Sequence, residues 1–277
     1  MTRLLSIAAV TAFIVLCTLL PFLPGRYDSM AMPLSVMSQL FGRVGLLLVP
    51  VGALWIASGR WSRLAGKRHL IATTALIAAS VVWAVVSLGA LVFGGLSLGL
   101  GAVALWAYVV WRVSSRLKSL KSKPPGPVGA MPLHLVIVPV AVALLQLALI
   151  GPATELSRSR AIQNSGPLIA DIEQYRAAHG RYPTSLLSVN KDYLPSVIGI
   201  SQFHYEPSGE AYNLFFEQFT SQLDTKEFVM YNPRDQQVMT SHDIDLLQRT
   251  PEELKWRRGY YSVHDAPQPH WKIYRFD

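Results

Sequence analysis

Residues 1–152 contain five long apolar runs and one acidic residue, Asp28. The runs cover 4–23, 34–58, 70–92, 95–112 and 132–151. About 20 residues at 1.5 Å each match the ~30 Å hydrocarbon core of a bilayer. Backbone polar groups in lipid have to be satisfied within the protein, so runs of this kind predict helices that cross a membrane. Arg3 precedes the first run, and PFLPGRYD follows it without a small-x-small cleavage site. An uncleaved span is therefore expected, with a cleavable leader as the competing reading. Pro50 is expected to kink the second span and Pro139 to interrupt the fifth.

Charge divides the chain in two. Residues 1–152 carry 12 Lys/Arg, a net of +11, whereas residues 153–277 carry 13 Lys/Arg and 16 Asp/Glu, a net of −3. The overall +8 therefore belongs to loops between apolar runs and is no argument for nucleic-acid binding. Placing the N-terminus in the cytoplasm puts ten of the twelve basic residues inside and leaves Arg26 and Arg43 outside. The positive-inside rule selects that orientation, and five spans then carry residues 153–277 to the far side. The predicted architecture is an α-helical membrane bundle of about five spans in residues 1–152, followed by an extracytoplasmic α+β domain in 153–277. The location that follows is a cytoplasmic membrane, crossed several times.

The single cysteine, Cys17, excludes an intramolecular disulfide and a thiolate metal cluster. Bulky Leu16 precedes it where a lipid-modified cysteine wants a small residue, so a buried apolar thiol is expected. Arg43 lies in the first third of the second run. It is either a functional intramembrane cation or a side chain that snorkels to the interface, with the helix proper starting at Val44.

The soluble part opens on LIADIEQYRAAHGRYP, residues 168–183. Leu168, Ile172, Tyr175 and His179 form one helical stripe. Ser165 is a candidate N-cap, with Pro167 in the first turn. Gly180 and Pro183 supply the stop. Strand candidates follow at 202–206, 211–217, 226–231, 236–240, 259–264 and 270–276, with a helix over 242–257. The turns are 207–210 and 232–235, and the expected sheet is an antiparallel meander with the helix on one face. An apolar span, a polar helix ending in Glu173, Tyr175, Arg176, Gly180, Arg181, Tyr182 and Pro183, and then short strands resemble the type IV pilins and the pseudopilins of type II secretion. The resemblance covers about residues 131–240 and implies a bacterial cytoplasmic membrane and a pilin-like domain outside the cytoplasm. The cleavage glycine and the Phe-Thr-Leu-Ile-Glu-like start of that family are missing, since the span opens GAMPLHLVIVPV.

Chemistry is sparse. No carboxylate lies inside an apolar run, whereas proton-coupled transport and intramembrane aspartyl proteolysis need one. No HExxH and no serine elbow is present. His179, His204, His242, His264 and His270 have no spacing that demands zinc, and Asp243 with Asp245 is a candidate calcium pair. No catalytic, cofactor or metal residues are therefore assigned, and no cofactor. The interaction candidates are Arg43, Tyr260, Tyr261, Trp271 and Tyr274, the aromatics serving as sheet packing or, if exposed, as a partner patch. The expected role is non-enzymatic: a scaffold or envelope-assembly protein in contact with lipid and with an envelope protein. An extracytoplasmic ligand sensor is the rival, and a membrane enzyme or transporter the third reading.

Overall fold

The computed structural model of the chain describes residues 2–59, 67–120, 131–189, 192–220, 225–237 and 261–276. It divides into two units, Met1–Leu20 with Ser29–Gly151, and Pro21–Asp28 with Pro152–Asp277. Among the described residues four helical segments are long and apolar enough to cross a membrane: Leu4–Phe22, Ala31–Ala57, His69–Ser114 and Met131–His179.

The first unit contains helices α1 (Thr2–Leu19), α2 (Ala31–Val44), α3 (Leu48–Ala57), α4 (Arg68–Leu120) and the beginning of α5 (Met131–His179). A 3₁₀ turn, Gly45–Leu47, separates α2 from α3. Pro50 accounts for it, because proline has no N–H for the carbonyl of Leu46 and its ring pushes that carbonyl away. The helix begins at Ala31 rather than Val44, and Arg43 sits in the last turn of α2.

The apolar runs 70–92 and 95–112 form one helical element that folds back at Gly95 (φ 77°, ψ −178°). In a straight helix Ser80 and Trp106 would lie about 39 Å apart. Instead Trp106 Nε1 donates to Ser80 Oγ at 3.2 Å, and Trp83 Nε1 donates to the Ala102 carbonyl at 2.8 Å. The two indoles stack with centroids 5.7 Å apart. The arms are thus antiparallel, and the reversal uses backbone angles that are essentially glycine's alone.

Helices α1 and α5 run parallel. Ser6 Oγ and His134 Nε2 share a hydrogen bond of 2.7 Å, and Gln146 Nε2 donates to Thr18 Oγ1 at 2.9 Å. Both pairs are 128 residues apart in sequence, so the helices keep one register over twelve residues, about 18 Å. Ile7, Val138 and Val142 fill the space between.

In the second unit, strands β1 (His204–Ser208), β2 (Ala211–Gln218), β3 (Lys226–Tyr231), β4 (Tyr261–Asp265) and β5 (Trp271–Phe276) form one antiparallel sheet in the order β1-β2-β3-β5-β4. The last two strands are exchanged relative to a meander. β1 runs two residues further than expected and takes in Pro207, which an edge strand tolerates because its N–H side faces away from the ladder. Residues 236 and 237 are not in a strand. Asn232 Oδ1 accepts the backbone N–H groups of Arg234 and Gln236, and its Nδ2 donates to the Gln236 carbonyl, so the side chain takes the bonds a ladder would need. Residues 238–240, the helix expected over 242–257, and Tyr260 lie outside the described residues.

Helix α5 passes through Pro139 and Pro167 without ending, and Ser165 is no cap: its Oγ donates back to the Ile162 carbonyl at 2.6 Å inside the helix. Gly180 stops α5 as expected. Its φ is 72° and its N–H bonds the Arg176 carbonyl at 2.8 Å. Leu168 and Ile172 are fully buried against Tyr212, Leu214, Phe216, Val229 and Trp271, each such side chain contributing about 1.5–3 kcal/mol. The lower end of the stripe is different: Tyr175 is half-buried and His179 exposed, their rings stacked at 4.0 Å.

Pro21–Asp28 enters this unit as an extra partner of residues 196–199. Gly25 N–H donates to Ser196 O, Ile198 N–H to Leu23 O and Gly199 N–H to Pro21 O, at 2.8–3.1 Å. Phe22 packs on Phe219, with centroids 5.6 Å apart.

Candidate functional site

The sequence candidates do not converge. Arg43 is exposed at the end of α2. Trp271 (4% exposed) packs on Tyr231 and Phe216 at 5.5 and 6.0 Å, on the α5 side of the sheet. Tyr274 (6% exposed) lies three residues on and therefore faces the other side, with Phe215, Met230 and Phe228. Tyr261 is paired with Phe276 in β4. Trp271 and Tyr274 thus belong to two separate packing clusters rather than one platform. Among the described residues no group of three or more His, Cys, Asp or Glu could hold a metal ion.

The structure assembles a different constellation, built from the end of α5, the turn after it and the adjoining sheet face. Glu173 and Arg176 are one helical turn apart, and the reversal at Gly180 returns Tyr182 to both. Arg176 Nη1 donates to the Tyr182 hydroxyl at 2.7 Å, and that hydroxyl donates to Glu173 Oε1 at 3.2 Å. The guanidinium carbon is 4.6 Å from the Tyr182 ring centroid. Tyr205 donates to the Pro183 carbonyl at 2.8 Å. Tyr212 then joins the set, its centroid 4.9 Å from Tyr182, 5.5 Å from Tyr205 and 5.8 Å from Tyr231. A further bond, from Tyr193 to Asp171, holds the following loop to the helix.

Four phenols thus surround one carboxylate. Burial is the main cause that pushes the Tyr182, Tyr205, Tyr212 and Tyr231 hydroxyls above the ordinary phenol value of 10.0, and the negative charge of Glu173 adds to it. All four are neutral at physiological pH. They can donate hydrogen bonds but cannot serve as bases or nucleophiles there. The Tyr212 hydroxyl is buried beside Glu173 and makes no geometrically sound hydrogen bond among the described residues. The cluster's chemistry is that of a clamp, with Tyr182 and Pro183 of the GRYP element fixed to helix and sheet together. Its sequence signal was Tyr212-x-Leu214-x-Phe216, a period-2 pattern that puts Tyr212 on the core face.

A buried ion-pair network forms the second fastening. Arg158 (3% exposed) donates through Nε and Nη2 to Glu227 Oε1 at 3.2 and 2.5 Å, and also pairs with Glu155. Arg275 Nε donates to the other Glu227 oxygen at 2.7 Å. Glu227 is 1% exposed. Beside it Gln218 and Ser157 are hydrogen-bonded at 3.0 Å. Across the sheet His204 stacks on Phe215 at 5.0 Å; burial lowers its pKa, against the pull of Glu217 and Glu206.

The first unit holds one polar layer in an apolar surround. Gln146 Nε2 donates to Thr18 Oγ1 and to the Ser38 carbonyl, Ser35 Oγ donates to the Thr18 carbonyl, and Gln39 Nε2 donates to Ser35 Oγ, at 2.6–3.2 Å. Such bonds join α1, α2 and α5 in an environment where a polar group has few other partners. Two half-open apolar cavities adjoin the α4 hairpin, of about 260 and 450 Å³.

Compared with known proteins, the chain matches no family model, no curated protein and no solved structure.

Proposed function

We propose that the chain is a five-span cytoplasmic-membrane protein that presents a pilin-like α+β domain outside the cytoplasm, where it acts as a non-enzymatic scaffold or assembly factor bound to an envelope protein. The observation that carries this reading is the single helix Met131–His179, apolar at its start and packed on an antiparallel sheet at its end. That is the arrangement the GRYP resemblance implies. The parallel register of α1 and α5 supports the span count. Two parallel helices start on the same side, so an odd number of crossings lies between them. α2–α3 with the two arms of α4 makes three. Charge supports the orientation, with ten of twelve basic residues on the N-terminal side. Strand β4 supports the interaction role. It ends the sheet, pairs only with β5 among the described residues, and exposes Val263, His264 and Asp265. An edge of this kind accepts an added strand from a partner.

The test is brief cross-linking in native membranes, purification in mild detergent and mass spectrometry. A stoichiometric envelope partner that is lost in Val263→Pro is the expected result. A protein recovered alone overturns the assembly role.

A further inference from the structure

We propose that the 260 Å³ cavity of the helical bundle holds one alkyl chain of an anionic membrane phospholipid. Its walls come from each of the described helices of that unit: Val10 of α1, Phe41 of α2, Trp55 of α3, Ala79 and Trp106 from the two arms of α4, and Leu135 of α5. The space exceeds the ~150 Å³ of apolar cavities that stay dry and bind benzene. A buried water needs two to four polar partners, and the lining is almost entirely aliphatic and aromatic carbon. The indole N–H groups of Trp83 and Trp106 are spent on Ala102 O and Ser80 Oγ, so both rings offer only carbon faces. Among the described residues of the wall His134 is the one ionisable side chain, and its Nε2 is engaged by Ser6. Neither water nor a polar solute suits such a space inside a membrane-spanning bundle. Hydrocarbon does, and the surrounding bilayer supplies it.

The cavity lies at one end of the bundle, which assigns the sign of the headgroup. Its walls include Ala72, near the start of α4, and Val113, near its end. Lys67 and Arg112, both exposed, flank those residues. A basic residue near a membrane surface attracts an anionic headgroup. The occupant is therefore a lipid with its chain between the α4 hairpin and α5 and its phosphate toward Lys67 and Arg112.

The test uses the full chain, delipidated in mild detergent and titrated with phosphatidylglycerol carrying brominated chains, with tryptophan quenching as the readout. Saturable quenching is expected, weakened at least tenfold by Ala79→Phe, which fills the space, and unchanged by Leu147→Phe, which adds the same ring at an outward position 85% exposed. Val109→Phe fills the cavity from the other arm without adding a fluorophore and serves if Ala79→Phe does not fold. Equal quenching in the wild type and the filled variants means exchange at the outer surface only and overturns the proposal. Equal affinity for brominated phosphatidylcholine overturns the headgroup assignment.

Discussion

Arg158→Met tests whether the helix is held to the sheet by charge or by packing. Wild-type Glu227 is 1% exposed and has both oxygens engaged, Oε1 by Arg158 and Oε2 by Arg275. Removing the guanidinium leaves a buried carboxylate with one partner, and breaking a buried pair in this way costs about 3–5 kcal/mol. Methionine keeps much of the apolar stem, so little of that loss comes from volume. At 1.4 kcal/mol per factor of ten, the amides of Phe228–Tyr231 should exchange with deuterium roughly 150- to 4000-fold faster, provided that they open with the unit as a whole. Hydrogen-exchange mass spectrometry on the full chain in detergent reads this segment separately from the bundle. Two controls sharpen the result. Arg275 is 44% exposed, so Arg275→Met should cost much less, about 1 kcal/mol after solvent screening. The double variant Arg158→Met with Glu227→Met should recover most of the loss, because two apolar side chains replace the pair. Exchange within threefold of wild type for Arg158→Met, or a double variant worse than the single, would refute the argument.

Four further outcomes follow from the geometry. Gly199→Ala puts a methyl group 2.6 Å from the Pro21 carbonyl oxygen and should release Pro21–Asp28 from residues 196–199 at a cost of about 1–3 kcal/mol, read as proteolysis after Arg26. Gly95→Ala occupies a strained backbone region (φ 77°) at about 1–3 kcal/mol and should loosen the reversal between the two arms of α4, measured as faster deuterium exchange of the amides around residue 95. Gln146→Leu removes two interhelical hydrogen bonds and should lower thermal stability of the bundle by about 1 kcal/mol, read in a detergent melt. The fourth concerns alkaline pH. The buried tyrosines ionise above 10.0 in the folded state and near 10.0 unfolded, so the native state keeps more protons. Stability is then complete below about pH 10 and falls as pH rises beyond it, with a smaller slope in Tyr212→Phe, as ultraviolet absorbance of the phenolate and a pH series of melts would show.

What the sequence made legible were the local signals. The apolar runs mark the helices because their length and lack of acids leave no other fold in lipid, and Gly180 marks the end of α5 because a left-handed residue is a property of one position. The misread positions each depend on a distant partner. Ser165 has the right chemistry for a cap, yet Leu168 and Ile172 extend a stripe that begins at Ala161 and Ile162, and packing on the sheet outweighs the proline at 167. Pro21–Asp28 reads as a loop between spans, and nothing local announces its pairing with 196–199. The tyrosine clamp draws on residues from 173 to 231: Glu173, Arg176 and Tyr182 stood in the recognised helix-and-GRYP element, whereas Tyr205, Tyr212 and Tyr231 were legible only as strand residues, with nothing local to say that they meet it.

The exchanged strands show how burial decides where connectivity does not. Between β3 and β4 lie residues 232–260, long enough for either β4 or β5 to settle beside β3. The hairpin joining β4 to β5 is short, so the two dock together and only their order is open. β5 brings Trp271, Ile273 and Tyr274, all buried, two of them on the α5 face and one on the other. β4 brings Val263, His264 and Asp265, all exposed. With β5 inside, both of its faces are packed and Arg275 reaches Glu227. With β4 inside, Asp265 and His264 would lose water and the network would lose one of its two arginines. Burying Trp271, Ile273 and Tyr274 is worth about 1.5–3 kcal/mol each, and desolvating Asp265 would cost several more. The order β3-β5-β4 therefore follows from side-chain composition, and it leaves the more polar strand at the edge of the sheet.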